Sequence, residues 1–495
     1  MTLADRVSTV VLVMMENRSF DHMLGHLTYD NLVTDINGLE RDLTKYNNPY
    51  QGGRYIPYPM PGGPLPYDLP HEYNQVPTEL AWSPVREQFD MTGFVEAYVE
   101  MNGGNPIEQV PPMGFFRAQD VPITSFLAQQ FRTCDAWHCP LPTSTQPNRT
   151  MAFCGSSPIF DTSSGARLIE PDDVLFEWLD RVPNLRWRVY HDGLSFFALY
   201  PRAWRYVLSD HFRDFENYFY DMQTEPLDTG PQVIIVEPSY NDGPHIGPDH
   251  PNDNHPPLAI GWGEDFLRRV YQAATVNRER WAKTVLVYYY DEHGGFHDHV
   301  PPPMIPYDTR GNPSFAFKNL GPRVPAVIVS PLVSAGSVSH RLFDHTSVLQ
   351  LLAELFTPGR PYSTEVHDRR RAGIESVSAA LDDTVRPNIP EVPPEPIPVA
   401  SALGSAIAVA PANSLQASFD LAASELIAAY PTETAKKYPE LWHWKSAVDA
   451  LRRTVPPPPE GPPQNATPRD VPTSGPVTSP RGKSKPRKEP RRRPQ

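Results

Sequence analysis

Five short runs of apolar, β-branched and aromatic residues constrain this chain most: "VSTVVLVMM" (7–15), "LRWRVYH" (185–191), "PQVIIVEP" (231–238), "KTVLVYYYDE" (283–292) and "RVPAVIVSP" (323–331). Each has strand length and ends in polar or turn residues. Between several of them lie stretches with helical spacing, "DVLFEWLDRV", "GEDFLRRVYQAATV" and "HTSVLQLLAELF". Near-continuous apolar strands alternating with helices predict an α/β fold with a mostly parallel central sheet sandwiched by helices. In such sheets functional groups collect beyond the carboxyl ends of the strands. Three of the five runs end there in acid: Glu16, Glu237, and Asp291 with Glu292. A strand end with only a turn to make more often carries Gly, Pro or Asp-Gly than Glu16-Asn17-Arg18-Ser19.

At 495 residues, core size is no limit. Sixty prolines predict long ordered loops and a disordered tail. The loops are visible as Pro/Gly-rich segments at 50–70, 101–114 and 241–257, long enough to be lids or site walls. Residues 386–400 read as an extended linker, 413–438 as helical, and 456–495 as a disordered, Pro-rich basic tail. No solenoid-type repeat is visible.

The net charge is −14 although the last fifteen residues carry eight Lys/Arg against Glu489 alone, so the body is more acidic still. An acidic body argues against nucleic acid as a partner; the basic tail reads as solvated, with anionic membrane as its alternative contact. Cys134, Cys139 and Cys154 are too few for a disulfide framework and leave room for one bridge. The N-terminal segment lacks a basic n-region and cleavage site, and no unbroken apolar stretch approaches membrane-spanning length. The expected location is cytoplasmic, or outside the cell by a non-Sec route.

Two stretches carry chemistry. "CPLPTSTQPNRTMAFCG" (139–155) offers hydroxyls at Thr143, Ser144 and Thr145, then Asn148 and Arg149, before an apolar "TMAF" that could begin a helix. A hydroxyl at a loop-to-helix junction suits a nucleophile, because the helix N-terminus favours an alkoxide and a bound phosphate. The plain alternative is a capped helix after a Ser/Thr turn. "YYYDEHGGFHDHVPPP" (288–303) places Asp291, Glu292, His293, His297, Asp298 and His299 within nine residues, a mixture that divalent ions accept. Gly294 and Gly295 would let the backbone approach an ion or phosphate. Asp253 and His255 in "NDNHPP", and Asp344 and His345 in "FDHTS", are weaker candidates, since Asp344 could simply cap a helix.

"MMENRSFDHMLG", "STQPNR", "YDEHGGFHDHVPPP" and "GPRVPAVIVSPLV", in this order over about residues 7–357, resemble the phosphoesterase family of bacterial and plant phospholipases C and related acid phosphatases. That family's fold is similar to that of alkaline phosphatases and sulfatases. The resemblance implies a metal-dependent phosphoric ester hydrolase working through a phospho-threonine. Thr145 would be the nucleophile, with Ser144 in reserve. Glu16, Asp291 and Glu292 would be metal ligands, and Asn17 a ligand or phosphate contact; His293 lies beside them as a catalytic candidate. Asn148 and Arg149 would position the phosphate or hold the nucleophile loop. Asp253 and His255 would form a second cationic region or the general acid, with His345 a weaker choice. The metal is one of Zn, Ca, Mg or Mn.

The implied organisation is a catalytic domain at 1–357, a linker and C-terminal helical segment at 358–455, and the tail at 456–495. The leading substrate is a glycerophospholipid, cleaved to diacylglycerol and a phosphorylated headgroup. Peripheral membrane contact would fall to aromatic stretches such as "FVEAYVEM" and "MGFF", although loop aromatics more often pack. The alternatives are an acid phosphatase of the same fold and a catalytically silent relative that binds a metal or an anion.

Overall fold

The computed structural model describes residues 2–65, 68–103, 109–162, 165–244, 250–309, 316–395 and 413–445. Its centre is an eight-stranded sheet. In chain order the strands are β1 (Thr9–Met15), β2 (Arg132–Cys134), β3 (Trp187–His191), β4 (Phe212–Asp214), β5 (Val233–Val236), β6 (Thr284–Tyr290), β7 (Ala326–Val329) and β8 (Ser337–Ser339). Across the sheet they lie in the order β4-β3-β5-β1-β6-β7-β2-β8. Every neighbouring pair is parallel except the two made by β7, which runs antiparallel to β6 and β2.

All seven residues of β1 and all seven of β6 are buried. Side chains alternate between faces along a strand, so both faces of the sheet's centre are covered. The helices that matter here are α1 (Phe20–Leu24), α2 (Thr145–Cys154), α3 (Gly261–Thr275), α4 (Thr346–Phe356), α5 (Ser414–Ala429) and α6 (Pro431–Lys437). The helix expected from Thr150 begins five residues earlier, at Thr145, with Ser144 as its N-cap residue. Pro147 fits because it falls in the first turn, where a missing N–H forfeits no intrahelical bond. Every residue of α2 is buried, polar ones included.

The described residues form one compact unit. Leu415, Phe419, Ala422, Ala423 and Ile427 of α5 join the same apolar core as the sheet strands. The predicted tail at 456–495 lies outside the described residues. Most of the expected lipid-contact residues turn inward: Phe94, Val95, Met113, Phe115 and Phe116 are core residues, whereas Met101, the last residue of "FVEAYVEM", is exposed, as are Trp82 and Val85 outside these stretches. Cys134, Cys139 and Cys154 are free and buried, so the one allowed bridge is not made. Among the described residues no helix is long and apolar enough to cross a membrane.

Glycines after β6 permit the close approach on which the site depends. Gly294 has φ 63°, and a Cβ there would lie 2.1 Å from the Asn17 carbonyl oxygen. At Gly295 (φ 71°) a Cβ would meet the Pro70 carbonyl oxygen at 2.2 Å. The chain segments that crowd these glycines are therefore those of Asn17 and Pro70. Gly294→Ala should lower unfolding free energy by at least about 2 kcal/mol in denaturant titration. Gly359→Ala, also at positive φ but facing open space, should cost only about 1 kcal/mol.

Candidate active site

β5, β1 and β6 are adjacent and parallel, with Val13 level with Val236 and Tyr288 in register. Their continuations therefore leave the sheet at one edge. Asn17, in the left-handed region at φ 60°, donates its N–H to Asp291 Oδ1 at 3.0 Å and ties the end of β1 to the end of β6. Into this edge α2 delivers Arg149, 1% exposed. Its Nη2 lies 3.1 Å from Glu16 Oε1, and its Nε donates to Asp291 Oδ2 at 3.1 Å. Its Nη1 donates to the Tyr240 hydroxyl at 3.0 Å, which donates in turn to Glu237 Oε1 at 3.0 Å. Glu237 also accepts from Ser195 and the Phe196 N–H, so the third acidic strand end supports Tyr240. Burial raises the Glu237 carboxyl to about 7. Burial also pushes Glu16 well above the usual carboxylate range against the pull of Arg149, and Asp253, Asp291 and Asp242 add to the rise.

The three hydroxyls at 143–145 are separated by their partners. Thr143 Oγ1 donates to the Phe160 carbonyl at 2.7 Å. Ser144 Oγ lies 2.7 Å from Glu72 Oε2 and 2.9 Å from Thr162 Oγ1. Thr145, the first residue of α2, lines a cavity of about 280 Å³ and donates to Asn17 Oδ1 at 3.2 Å. Asn148 holds the loop: its Nδ2 donates to the carbonyls of Leu141, Thr143 and Ser144, and its Oδ1 accepts from the Leu141 N–H.

Asp68, His71, Glu72, Asp242 and His255 share the cavity wall with Thr145. Asn17 Nδ2 lies 2.9 Å from His255 Nε2 and 3.3 Å from His71 Nε2. Each imidazole has its Nδ1 on a carbonyl, His71 on Leu69 at 2.7 Å and His255 on Pro256, so both present Nε2 to the site. Ligand atoms of Glu16, Asp242 and His255 lie within 4.8 Å of one another, as do those of Asp68, His71 and His255. Asp242 Oδ2, Glu292 Oε1 and both Glu16 carboxylate oxygens are buried without a hydrogen-bond partner, although Glu16 keeps its ion pair to Arg149. Buried carboxylate oxygens rarely go unsatisfied. Although burial acts to lower it, His71 is raised to about 10 by Glu292, Asp68 and Glu72. An excess of buried negative charge with free oxygens and imidazole Nε2 atoms fits a divalent cation.

Several sequence candidates stand around this cavity without lining it. Asp291 has both oxygens engaged, Oδ1 by the N–H groups of Asn17 and Glu292 and Oδ2 by Arg149. His293 sits between Glu79 Oε2 (2.7 Å) and Glu292 Oε2 (3.1 Å), carboxylates that raise it to about 9 against the opposing effect of burial. His345 Nε2 donates to the Asp291 carbonyl at 2.7 Å and its Nδ1 accepts from Trp137, with burial lowering it to about 4. Asp344 pairs with Arg369 and accepts from the Thr346 N–H. Asp253, raised to about 6 by burial, accepts from the N–H groups of Asn241 and His255 and shapes the loop.

The run of potential ligands at 291–299 is divided. Asp298 joins Asp21 and His299 around Arg323, whose guanidinium pairs with both carboxylates. The sequence reading missed Asp68, His71, Glu72 and Asp242. All four lie in or beside the Pro/Gly-rich segments identified as site walls, and that was the available signal.

The model of the Phosphoesterase family matches residues 7–357. The chain belongs to this family. This phosphoesterase is 28% identical over 384 residues to non-specific phospholipase C3 of Arabidopsis thaliana, covering 71% of the chain and 70% of that protein. It is 28% identical over 424 residues to phospholipase C A of Mycobacterium tuberculosis, covering 77% and 79%. With hemolytic phospholipase C of Pseudomonas aeruginosa it shares 28% over 399 residues, 71% of this chain and 53% of that one. A solved alkaline phosphatase superfamily protein from Vibrio parahaemolyticus aligns with 48% of the chain and 60% of its own at TM-score 0.30 and 13% identity, too loosely to bear on fold or function. The phosphoesterase is a phosphoric ester hydrolase, and its acidic and imidazole groups are compatible with a divalent metal.

Arg149→Met would leave Glu16 and Asp291 buried beside each other without their cation. In chelator, chemical denaturation should show a loss of about 3–5 kcal/mol. A loss under 1 kcal/mol would mean that the carboxylates find compensation elsewhere.

Proposed function

We propose that this phosphoesterase is a phospholipase C that hydrolyses glycerophospholipids to diacylglycerol and a phosphorylated headgroup, with Thr145 as nucleophile. The observation that carries the reading is the Thr145 hydroxyl on the cavity wall, at the N-terminus of α2 and 3.2 Å from Asn17 Oδ1. Glu16, Asp242 and His255 would hold a divalent cation, with Asn17 and Glu292 as the other candidate donors. Such a cation, when bound, withdraws charge from the phosphoryl oxygens and favours the ionised form of a nearby hydroxyl.

The chain's own residues supply the rest. Thr145 Oγ1 attacks phosphorus in line in its ionised form, a bond to threonine forms, and the bond to the glycerol oxygen breaks. The amide N–H groups at the start of α2 favour the negative charge that develops. His71, with Asp68 beside it, is placed to give the departing glycerol oxygen a proton from Nε2. Water then gives a proton to the His71 Nε2 that the first step left bare and attacks phosphorus, which releases the headgroup phosphate and returns the ionised Thr145 oxygen. Asn148 keeps the loop from recoiling, and Arg149 holds Glu16 and Asp291.

The cavity, about 280 Å³, is at the small end of ligand pockets. Its size supports a second reading, a phosphomonoesterase acting on soluble esters. Wild type and Thr145→Ala, compared on phosphatidylcholine vesicles and on p-nitrophenyl phosphate with and without chelator, separate the two. The expected result is release of diacylglycerol and phosphocholine, reduced at least about a thousandfold by Thr145→Ala and abolished by chelator. Hydrolysis of the soluble ester alone would move the protein to the phosphatases. No turnover of either ester by the metal-loaded protein would make it a binding relative.

A further inference from the structure

The family match ends at residue 357, but the cavity wall continues beyond it. Asn413, Ser414 and Leu415, at the start of α5, line the cavity together with Thr145, His71 and Asp242. Asn413 caps the helix, its Oδ1 accepting the Gln416 N–H at 2.8 Å. That bond fixes which way the amide faces, and its Nδ2 donates to Asp242 Oδ1 at 3.0 Å. Asp242 Oδ2 is left without a hydrogen-bond partner, 3.9 Å from His255 Nε2.

We propose that Asn413 is a positioning residue of the active site, holding the Asp242 carboxylate so that its second oxygen faces the cation group of Glu16 and His255. The assignment rests on the cation reading given under Proposed function. A second contact of α5 reinforces it. The Phe419 ring packs 5.7 Å from Tyr240 and 6.3 Å from Phe196, and Ser418 Oγ accepts the Arg167 N–H at 3.1 Å. Tyr240 is the hydroxyl that receives Arg149. The segment 240–242 is thus held at both ends by one helix, through Phe419 on Tyr240 and Asn413 on Asp242. Losing the outer hydrogen-bond partner of a metal ligand lowers metal affinity or activity about 10–100-fold.

The test uses the full-length chain, stripped with chelator and titrated calorimetrically with Mn²⁺ alone, as wild type, Asn413→Ala and Asn413→Ser. Serine keeps an oxygen for the helix cap but lacks the amide that reaches Asp242. Both variants should bind Mn²⁺ about 10–100-fold more weakly, with kcat recovering as Mn²⁺ is raised. Thermal melts should show the serine variant close to wild type and the alanine variant lower. Wild-type Mn²⁺ affinity in both variants would overturn the assignment. So would weaker binding that follows an equal fall in the serine variant's melting temperature, since Asn413 would then be a helix cap alone. A wild-type chain that binds neither Mn²⁺ nor, in the same titration, Zn²⁺, Ca²⁺ or Mg²⁺ would overturn the cation reading itself, and this assignment with it.

Discussion

One buried guanidinium organises the sheet edge. Arg149 reaches Glu16 beyond β1, Asp291 beyond β6 and Tyr240 beyond β5, so a single side chain from α2 joins the ends of three adjacent parallel strands. A charge so deeply buried is tolerated only when its donors are matched, and here Nε, Nη1 and Nη2 each have an acceptor or a carboxylate. The same α2 begins with Thr145, four residues before Arg149 and about one helical turn away. Placing the arginine therefore places the hydroxyl. Asn17 completes the link, with its backbone on Asp291 and its side chain among Thr145, His71 and His255.

Around that anchor the surrounding groups divide by what their atoms already touch. Carboxylates whose oxygens are all bonded, such as Asp291 and Asp344, hold the backbone and the arginines in place. Carboxylates with a buried oxygen left over, Glu16, Asp242 and Glu292, give the site its negative field. Around Arg323 the same residue types give a different result, because the guanidinium already neutralises Asp21 and Asp298. A count of acidic and imidazole residues would not distinguish the two clusters; their bonding does.

Much of the fold could be read because its signals are local. Burial on both faces makes β1 and β6 continuously apolar, and parallel neighbours place Glu16, Glu237 and Asp291 at one edge whatever the loops do. The reading was weaker where partners come from far along the chain. Glu237 looked equivalent to Glu16, but Ser195, Phe196 and Tyr240 occupy it. Gly294 and Gly295 looked like a ligand cradle, and the carbonyls of Asn17 and Pro70 fill that space. His71, Asp242 and Asn413 carry no periodicity at all, since they sit in loops or at a helix start whose position is set by what they pack against.

By itself the sequence determined the α/β class, the parallel strand ends that bear the acids, and a hydroxyl-bearing loop ahead of a helix. Periods of 2 and 3.6 residues, and the chemistry of a strand's last residue, are written within a few neighbours. Tertiary structure alone decided which hydroxyl faces the cavity, which carboxylates keep an oxygen free, and that α5 closes one wall. These outcomes depend on contacts between residues separated by 72 positions for Ser144 and Glu72, 128 for Thr145 and Asn17, and 171 for Asn413 and Asp242. Hydrogen-bond satisfaction and burial at such separations exist only once the chain has closed on itself.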